Sequence, residues 1–312
     1  MKIMITGGFG FIGSHLAESL SNNKHEILII TKSLSKKKNI ESYKNKIKFL
    51  KLDVQNFTKF SNAIIKFKPD ILFHLAGQTS HSKSFLDPMN DVDSNIKSTL
   101  CALETIRKNN IKCRFILGST FVTIGKPLKL PVNEKSSCNP TTIYGTSKLA
   151  GESFCKIYHN VYGLDTLIFR ITNSYGPREQ IISNKNAVNY LIHQAFNGEK
   201  ITLFNKGQFF RDLIYVSDVI SGLQIIMKKG KSGNLYWISS GKKTWFYQFG
   251  NLLTKHTGTK IMFSPMPKYT KKVDVGNFVV DNTKLKKLGW KPKISIEKGI
   301  KLTLDYFKNS KF

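Results

Sequence analysis

Long hydrophobic runs are missing from this chain of 312 residues. The mean hydropathy is −0.23, and no apolar stretch approaches the roughly 20 residues that a membrane-spanning helix requires. The first ten residues, MKIMITGGFG, already read as a strand and a glycine turn, so we expect neither a signal peptide nor a membrane partner. Hydrophobic residues make up 40% and charged residues 22%, which excludes a disordered or fibrous chain and is typical of a globular protein.

Cysteine is also scarce. The chain has four cysteines, with no C-x-x-C pair and no histidine cluster beside them: Cys101, Cys113, Cys138 and Cys155. This spacing argues against a zinc site, and a chain of this size does not need disulfides to fold. We therefore expect no metal and a reducing compartment, the cytoplasm.

Acidic residues and arginine are scarce as well. The chain carries 49 lysine and arginine residues against 20 acidic ones, a net charge of +29, yet only five of the basic residues are arginine. A basic excess is typical of nucleic-acid binders, but those proteins rely on arginine for bidentate contacts. Here the lysines are spread along the chain, and the densest run, residues 36–38, predicts a solvated loop. We interpret the charge as a compositional bias and expect no nucleic-acid partner.

Short apolar runs alternate with helical periodicity through the first half of the chain. The predicted strands cover residues 2–6, 26–30, 47–52, 71–75, 114–117 and 166–170, and the predicted helices cover residues 11–20, 56–67, 91–109 and 144–162. Strands without polar alternation, separated by helices, indicate a parallel sheet covered on both faces. The pattern therefore predicts a Rossmann-like, doubly wound α/β fold.

The pattern changes after Pro177. The predicted elements become shorter and mixed, with helices over residues 187–196, 219–227, 246–256 and 296–306 and a strand over residues 201–204. This predicts a smaller mixed α/β lobe over residues 176–312, after a Rossmann-like domain over residues 1–175. No repeat and no Pro/Ser-rich linker separates the two, so we expect them to interleave.

The sequence TGGFGFIG, at residues 6–13, joins the first strand to the first helix. Gly7 permits a tight turn, Gly10 lets a pyrophosphate approach the backbone, and Gly13 lets the helix pack closely on the strand. The helix N terminus, with Phe11 and Ile12, then faces the phosphates. Because the pattern lies at the first strand–helix junction of an α/β chain, it predicts a dinucleotide-binding site.

The end of the second strand carries Thr31 and Lys32, where a carboxylate that binds the ribose 2′-hydroxyl is expected. These residues could accept a 2′-phosphate, which favours NADP, or form a neutral edge beneath NAD, and both alternatives stay open. Asp53 and Val54, after the third strand, are candidates for contact with the adenine, whose amino group can donate a hydrogen bond to the Asp53 carboxylate. The alternative role for Asp53 is to cap the following helix.

Tyr144 and Lys148 lie one helical turn apart on the same face of a predicted helix. We expect the ammonium of Lys148 to lower the pKa of Tyr144, so that the phenolate acts as a general base near neutral pH. Lys148 can also hold the nicotinamide ribose. Thr120, at the end of the fifth strand, offers a hydroxyl to the substrate oxygen that Tyr144 deprotonates. The alternative role for Thr120 is a strand-end cap.

With these features the sequence resembles the extended short-chain dehydrogenase/reductase superfamily, in its branch of nucleotide-sugar epimerases and dehydratases. The resemblance spans nearly the whole chain and includes HLAG at residues 74–77, Asn95, Gly125, FRITNSYGPR at residues 169–178 and RDLIYVSDV at residues 211–219. It implies NAD or NADP as cofactor and a nucleotide-diphosphate sugar as substrate. It also implies a homodimer formed through helices 91–109 and 144–162.

The resemblance also implies roles for individual residues. Thr120, Tyr144 and Lys148 are the catalytic set, and Leu75, Ala76 and Gly77 lie against the cofactor. Asn173, Arg178 and Arg211 contact the substrate. Three of the five arginines, at positions 170, 178 and 211, fall inside the matching motifs. Arginine is expected at positions where a planar guanidinium binds a diphosphate or a buried carboxylate through two hydrogen bonds. Two alternatives stay open: a structural ion pair for Arg170 and a local salt bridge between Arg211 and Asp212.

Departures from the family pattern narrow the expected reaction. Phe121 and Val122 stand where the dehydratases carry acids, and Phe121 also stands where the 3,5-epimerases carry a cysteine. We therefore expect neither dehydration nor 3,5-epimerisation of the sugar. Thr123-Ile124-Gly125 replaces the usual Val-Tyr-Gly, so a contact often made by that tyrosine is missing.

We therefore expect oxidation or reduction at C4 of the sugar. A 4-epimerase or C4-dehydrogenase reaction through a 4-keto intermediate is the leading hypothesis, and an NADPH-dependent 4-keto-sugar reductase is the alternative. A non-catalytic Rossmann protein that binds RNA or senses dinucleotides is a remote alternative, since a pure binder would not need the catalytic set.

Overall fold

The computed structural model describes residues 1–182 and 186–309. Its strands are β1 (Lys2–Thr6), β2 (Glu26–Thr31), β3 (Lys48–Lys51), β4 (Ile71–His74), β5 (Arg114–Thr120), β6 (Thr166–Ile171), β7 (Asn173–Tyr175), β8 (Ile201–Phe204), β9 (Phe210–Arg211), β10 (Leu213–Tyr215), β11 (Leu235–Ile238), β12 (Thr244–Trp245) and β13 (Ile261–Ser264). Its α-helices are α1 (Phe11–Ser21), α2 (Phe57–Phe67), α3 (His81–Leu86), α4 (Pro88–Asp91), α5 (Ser98–Lys108), α6 (Ile143–Tyr162), α7 (Ala187–Phe196), α8 (Val216–Lys229), α9 (Phe246–Thr257), α10 (Lys268–Val273), α11 (Thr283–Lys286) and α12 (Ile296–Asn309). Short 3-10 segments (Lys37–Lys46, Phe121–Ile124, Asn205–Gly207) and a π-helical turn (Val92–Lys97) lie between them.

A seven-stranded parallel sheet forms the centre of the molecule, in the order β11-β6-β5-β4-β1-β2-β3. Ile3, Met4 and Ile5 of β1 have no exposed surface, as expected for a strand covered on both faces. β1 pairs with β2 on one side and with β4 on the other. The loops after β1 and β4 therefore diverge and open the crevice in which ligands of such sheets bind. The predicted Rossmann-like α/β fold is confirmed.

Helix α6 has well-formed ends. Thr142 begins it, and the Thr142 hydroxyl accepts a hydrogen bond from the N–H of Gly145 at 3.0 Å. Gly163 ends it in the left-handed region, with a φ of 68°. The helix packs on β5 and β6 and buries Cys155 and Tyr158 there. This packing sets its N-terminal turns beside the carboxyl end of β5.

The prediction of a single helix over residues 91–109 is wrong in one respect, because a π-helical turn separates α4 from α5. The hydroxyls of Ser94 and Ser98 donate to the carbonyls of Asn90 and Ser94, four residues earlier, at 2.5 and 2.6 Å. Side-chain bonds of this kind bend helices, and π turns are frequent at functional sites. The turn faces the crevice at the carboxyl edge of the sheet.

The later half of the chain contributes to two regions. Three small sheets pair β10 with β7, β12 with β9, and β13 with β8. β11, which the sequence pattern did not predict, instead pairs with β6 in the central sheet, and α8 packs on α1. The buried carboxylate of Asp212 accepts hydrogen bonds from the backbone N–H groups of Ser240, Gly241 and Val280 at 2.7, 3.0 and 3.3 Å. These bonds join the segment between β9 and β10 to the loop after β11 and to the chain before α11.

Among the described residues, no helix combines the length and apolarity needed to cross a membrane.

Candidate active site

A glycine turn joins β1 to α1 at the carboxyl edge of the sheet. Gly7 has a φ of 69°, and its N–H donates to the carbonyl of Ile30 at 2.8 Å. A Cβ on Gly7 would lie 3.0 Å from the backbone nitrogen of Ala76, and a Cβ on Gly13 would lie 2.4 Å from the carbonyl oxygen of Gly7. Both positions therefore require glycine, and the turn has the geometry that the sequence pattern predicts.

The N terminus of α1 opens at this turn. Gly10 is the N-cap, and no side chain of the described residues caps the helix. The N–H groups of the first turn, including those of Phe11 and Ile12, have no carbonyl partner within the helix. An uncapped helix N terminus with free donors fits the pyrophosphate of a dinucleotide.

The loop after β4 forms the second wall of the crevice. The Thr6 hydroxyl accepts the N–H groups of Leu75 and Ala76 at 3.1 and 3.0 Å, which ties this loop to the glycine turn. Asn95, from the π-helical turn, faces Gly77, because a Cβ on Gly77 would lie 2.2 Å from Asn95 Oδ1. Within residues 1–182 and 186–309 this buried oxygen has no hydrogen-bond partner. Asn95 Oδ1 therefore packs against Gly77 at the loop after β4, and the sequence pattern alone assigned Asn95 no role.

The adenosine end of the predicted site lies after β2 and β3. The Thr31 hydroxyl is buried and donates to the carbonyl of Ser33 at 2.9 Å, while Lys32 is exposed. Asp53 Oδ1 accepts the N–H of Gln55 at 3.1 Å. Asn56, not Asp53, caps α2, so the alternative role for Asp53 is wrong. Val54, beside Asp53, is 5% exposed. The choice between NAD and NADP stays open.

The predicted catalytic residues come together where β5 ends beside α6. The Thr120 hydroxyl forms a hydrogen bond with the phenol of Tyr144. The Thr120 oxygen also accepts the N–H of Val122 at 3.3 Å, so Thr120 begins the 3-10 turn that follows β5 as well as contacting Tyr144. Tyr144 and Lys148 are both buried on the same face of α6. The phenol and the threonine hydroxyl can therefore act on one substrate oxygen.

Burial dominates the protonation of Tyr144 and Lys148. It raises the pKa of Tyr144 to about 12, with the Thr120 hydrogen bond opposing and the Asp91 charge adding to the rise. It lowers the pKa of Lys148 to about 8, against the charges of Glu152 and Asp91, which favour the ammonium. The expected lowering of the Tyr144 pKa by Lys148 is therefore wrong for the protein alone, because loss of hydration outweighs the neighbouring charges.

All three motif arginines form ion pairs with carboxylates of the protein. Arg170 donates from Nε and Nη2 to the Glu152 carboxylate at 2.8 and 2.6 Å, and both side chains are buried. The structural ion pair considered for Arg170 is confirmed. Arg211 does not pair with its neighbour Asp212. It pairs with Asp274, at 2.5 Å from Nη2 to Oδ1.

The other predicted substrate residues lie near the start of the later half. Asn173 begins β7, and its N–H donates to the carbonyl of Asp212 at 3.2 Å. Arg178 forms an ion pair with Glu18 of α1, at 2.6 Å. The contacts of Asn173, Arg178 and Arg211 with a substrate stay predictions. Searched over the described part of the chain, the structure contains no group of three His, Cys, Asp or Glu side chains that could hold a metal ion.

Comparison with known proteins decides the family. The model of the NAD-dependent epimerase/dehydratase family matches residues 3–239. The chain belongs to this family. A UDP-glucose 4-epimerase of Mycolicibacterium smegmatis is 28% identical over 315 residues, covering 99% of each chain. The crystal structure of a UDP-glucose 4-epimerase of Thermotoga maritima with UDP-glucose has a TM-score of 0.91 at 31% identity, covering 99% of each chain. The crystal structure of a UDP-glucuronic acid 4-epimerase of Bacillus cereus, with UDP-glucuronic acid and NAD, has a TM-score of 0.87 at 28% identity. The match again covers 99% of each chain.

Membership of the epimerase/dehydratase family makes the chain an NAD(P)-dependent enzyme of the extended short-chain dehydrogenase/reductase type. The enzyme class and the cofactor class that the resemblance implied are confirmed, and the non-catalytic alternative is set aside.

One feature of the site departs from the pattern of the family's dehydratases. The ring of Phe121 packs on that of Phe278, with centroids 5.2 Å apart, and Val122 is 3% exposed. Apolar side chains thus stand after Thr120 where dehydratases carry acids. Thr120, Tyr144 and Lys148 supply a hydroxyl, a phenol and an amine at this end of the crevice.

Proposed function

We propose that this enzyme interconverts the C4 epimers of a nucleotide-diphosphate sugar through a 4-keto intermediate. The observation that carries the proposal is the buried set of Thr120, Tyr144 and Lys148, with Phe121 and Val122 in place of acids. This set can remove and return the proton of one hydroxyl but offers no carboxylate to move protons at C5 or C6. The similarity to UDP-glucose and UDP-glucuronic acid 4-epimerases supports the same reaction.

Each residue of the set has a part in the proposed mechanism. Tyr144 accepts the C4 hydroxyl proton, and Thr120 donates to the same sugar oxygen as it becomes a carbonyl. A nicotinamide cofactor, held by the glycine turn and Lys148, would supply the hydride acceptor and donor at C4. The 4-keto sugar must rotate in the crevice between the two transfers, so that the hydride returns to its opposite face and C4 is inverted. Lys148, charged below its pKa of about 8, would hold the nicotinamide ribose. The glycine turn and the N terminus of α1 would hold the pyrophosphate of the cofactor.

We further propose that residues 1–175 hold the cofactor and residues 176–312 mainly bind the nucleotide sugar. Arg211 is 7% exposed and forms an ion pair with the partly exposed Asp274. A diphosphate that enters the crevice would accept hydrogen bonds from the Arg211 guanidinium alongside the Asp274 carboxylate. Asn173 and Arg178 would contact the same part of the substrate. A homodimer through α5 and α6 is also proposed, because α6 leaves Ile157 48% and Val161 65% exposed on its outer face. The compartment proposed is the cytoplasm.

An NADPH-dependent 4-keto-sugar reductase is the second candidate. The observation that favours it is the neutral end of β2, where Thr31 and the exposed Lys32 replace a carboxylate and leave space for a 2′-phosphate.

The test is to denature the purified enzyme and identify the released dinucleotide by chromatography and mass spectrometry. A retained NAD⁺ or NADH, together with interconversion of UDP-glucose and UDP-galactose or of the UDP-hexuronic acids, is the expected result. An empty protein that binds NADPH and reduces a 4-keto sugar without epimerising would replace the first proposal by the second. Light scattering measures whether the enzyme is a dimer.

A further inference from the structure

Glu152 is a buried carboxylate to which the mechanism above assigns no part. It lies on α6, one helical turn after Lys148 and on the same face. The residue is 0% exposed. A carboxylate with no access to water is costly unless neighbouring groups compensate its charge, so its partners indicate what it does.

Both oxygens of Glu152 are occupied. Oε1 accepts the Ser119 hydroxyl at 2.5 Å and the Arg170 Nε–H at 2.8 Å, and Oε2 accepts Arg170 Nη2 at 2.6 Å. A bidentate guanidinium compensates the charge of such a carboxylate. Ser119 immediately precedes Thr120 on β5. Glu152 therefore connects the strand end that carries Thr120 to the helix that carries Tyr144 and Lys148.

The charged and titratable groups that face Lys148 come from three elements. Glu152 and Cys155 lie on α6 with it, Asp91 ends α4, and His74 ends β4. Among them, Glu152 is the largest influence that favours the ammonium of Lys148. His74 is neutral near pH 7, because burial lowers its pKa to about 3.

Asp91 is the second carboxylate near Lys148, and its oxygens are shared among hydroxyls and amides. They accept from Ser84 Oγ, Gln78 Nε2 and Asn95 Nδ2, at 3.0, 3.2 and 3.3 Å. None of these donors carries a full charge. Asp91 also belongs to α4, whereas Glu152 moves with the helix that carries Lys148.

We propose that Glu152 is a positioning residue, whose carboxylate, held by Arg170 and Ser119, keeps Lys148 charged and keeps the end of β5 in register with the catalytic face of α6. The proposal rests on the proposed C4 reaction for its functional meaning. The competing interpretation is that Glu152 only neutralises the buried Arg170. The two interpretations differ when both charges are removed together.

The test compares three variants with the wild type. Glu152→Gln removes the charge, and the double variant Glu152→Met with Arg170→Met removes the whole pair and leaves an apolar interior that folds if the single variant does not. Asp165→Asn is the matched control. It breaks the Arg114–Asp165 pair, at 2.8 Å, which joins β5 and β6 at their opposite ends. Circular dichroism confirms that each variant is folded.

The direct readout is the titration of Lys148 in the protein without added cofactor. Lysine side chains labelled with ¹³C at Cε are followed by NMR against pH, and the Lys148 signal is the one missing from Lys148→Met. Glu152→Gln and the double variant should each lower the titration midpoint by about one pH unit or more, since a charge one helical turn away is removed from a buried site. Asp165→Asn should leave it unchanged.

The kinetic readout is the pH profile of kcat. Loss of Glu152 should move the alkaline fall of kcat to lower pH by the same amount, and Glu152→Asp should restore most of the wild-type profile. An unchanged Lys148 midpoint in the folded double variant would overturn the proposal. Absence of C4 chemistry in the wild type would overturn the proposed function instead, because the NMR titration does not depend on turnover.

Discussion

Replacing Gly13 with alanine would place a methyl group against the backbone of the glycine turn. The added Cβ would lie 2.4 Å from the carbonyl oxygen of Gly7 and 2.8 Å from Cα of Gly8, closer than the 3.0 Å that real Cβ atoms respect. Both contacts are with main-chain atoms, which cannot swing aside as the end of a flexible side chain can. The turn or the first turn of α1 must therefore move.

The magnitude follows from two opposing terms. Alanine gains about 1 kcal/mol over glycine inside a helix. Overpacking against a fixed backbone costs about 1–3 kcal/mol, so the free energy of unfolding should fall by no more than about 2 kcal/mol. Cofactor affinity is more sensitive, because the displaced N–H groups are those that face the pyrophosphate. We expect NAD⁺ to bind at least about tenfold more weakly, equivalent to about 1.4 kcal/mol.

The assay is fluorescence titration of the enzyme with NAD⁺, combined with thermal melting. Gly151→Ala is the matched control, because it also lies in a helix but its Cβ would meet Leu117 Cδ2, Thr99 Oγ1 and the Asn95 carbonyl oxygen at 3.4, 3.6 and 3.7 Å, which are ordinary van der Waals contacts. It should melt at the same or a higher temperature and bind NAD⁺ normally. A Gly13→Ala enzyme that binds NAD⁺ as tightly as the wild type would refute the assignment of this turn to the pyrophosphate.

Three further predictions concern chemistry and stability. Tyr144→Phe should lower kcat about 10²–10⁴-fold with an unchanged melting temperature, and a loss below about tenfold in steady-state assays would contradict its role as base. Asp212→Ala leaves the N–H groups of Ser240, Gly241 and the buried Val280 without their acceptor and should lower the free energy of unfolding by about 1–3 kcal/mol in urea titrations. A change within experimental error would show that water replaces the carboxylate. The value of kcat should fall as pH rises through about 8, where Lys148 loses its proton, and a profile that stays flat above that pH would contradict the need for the ammonium.

The elements that the sequence predicted correctly are those decided over short distances along the chain. The turn from β1 into α1 needs glycine at positions 7 and 13 because of contacts within a few residues, so its pattern is visible in TGGFGFIG. Tyr144 and Lys148 share a face because a helix repeats every 3.6 residues. Apolar runs without alternation indicated the parallel sheet for a similar reason, since both faces of each strand are covered.

The sequence pattern failed where a partner or a conformation is selected in three dimensions. The helix over residues 91–109 was predicted as continuous, but a π-helical segment interrupts it, in which Ser94 donates to the preceding turn and Asn95 lies against Gly77. β11 was missed because four apolar residues, Leu235–Ile238, become a strand only beside β6.

The sequence by itself thus determined the fold class, the glycine turn and the shared face of Tyr144 and Lys148, because local spacing and periodicity dictate them. The tertiary structure alone decided which carboxylate each arginine meets: Arg170 pairs with Glu152, and Arg211 with Asp274 rather than its neighbour Asp212. It also decided the direction of the pKa changes at Tyr144 and Lys148. Ion-pair partners and desolvation depend on groups that folding brings together from distant parts of the chain, and spacing along the sequence carries no record of that proximity.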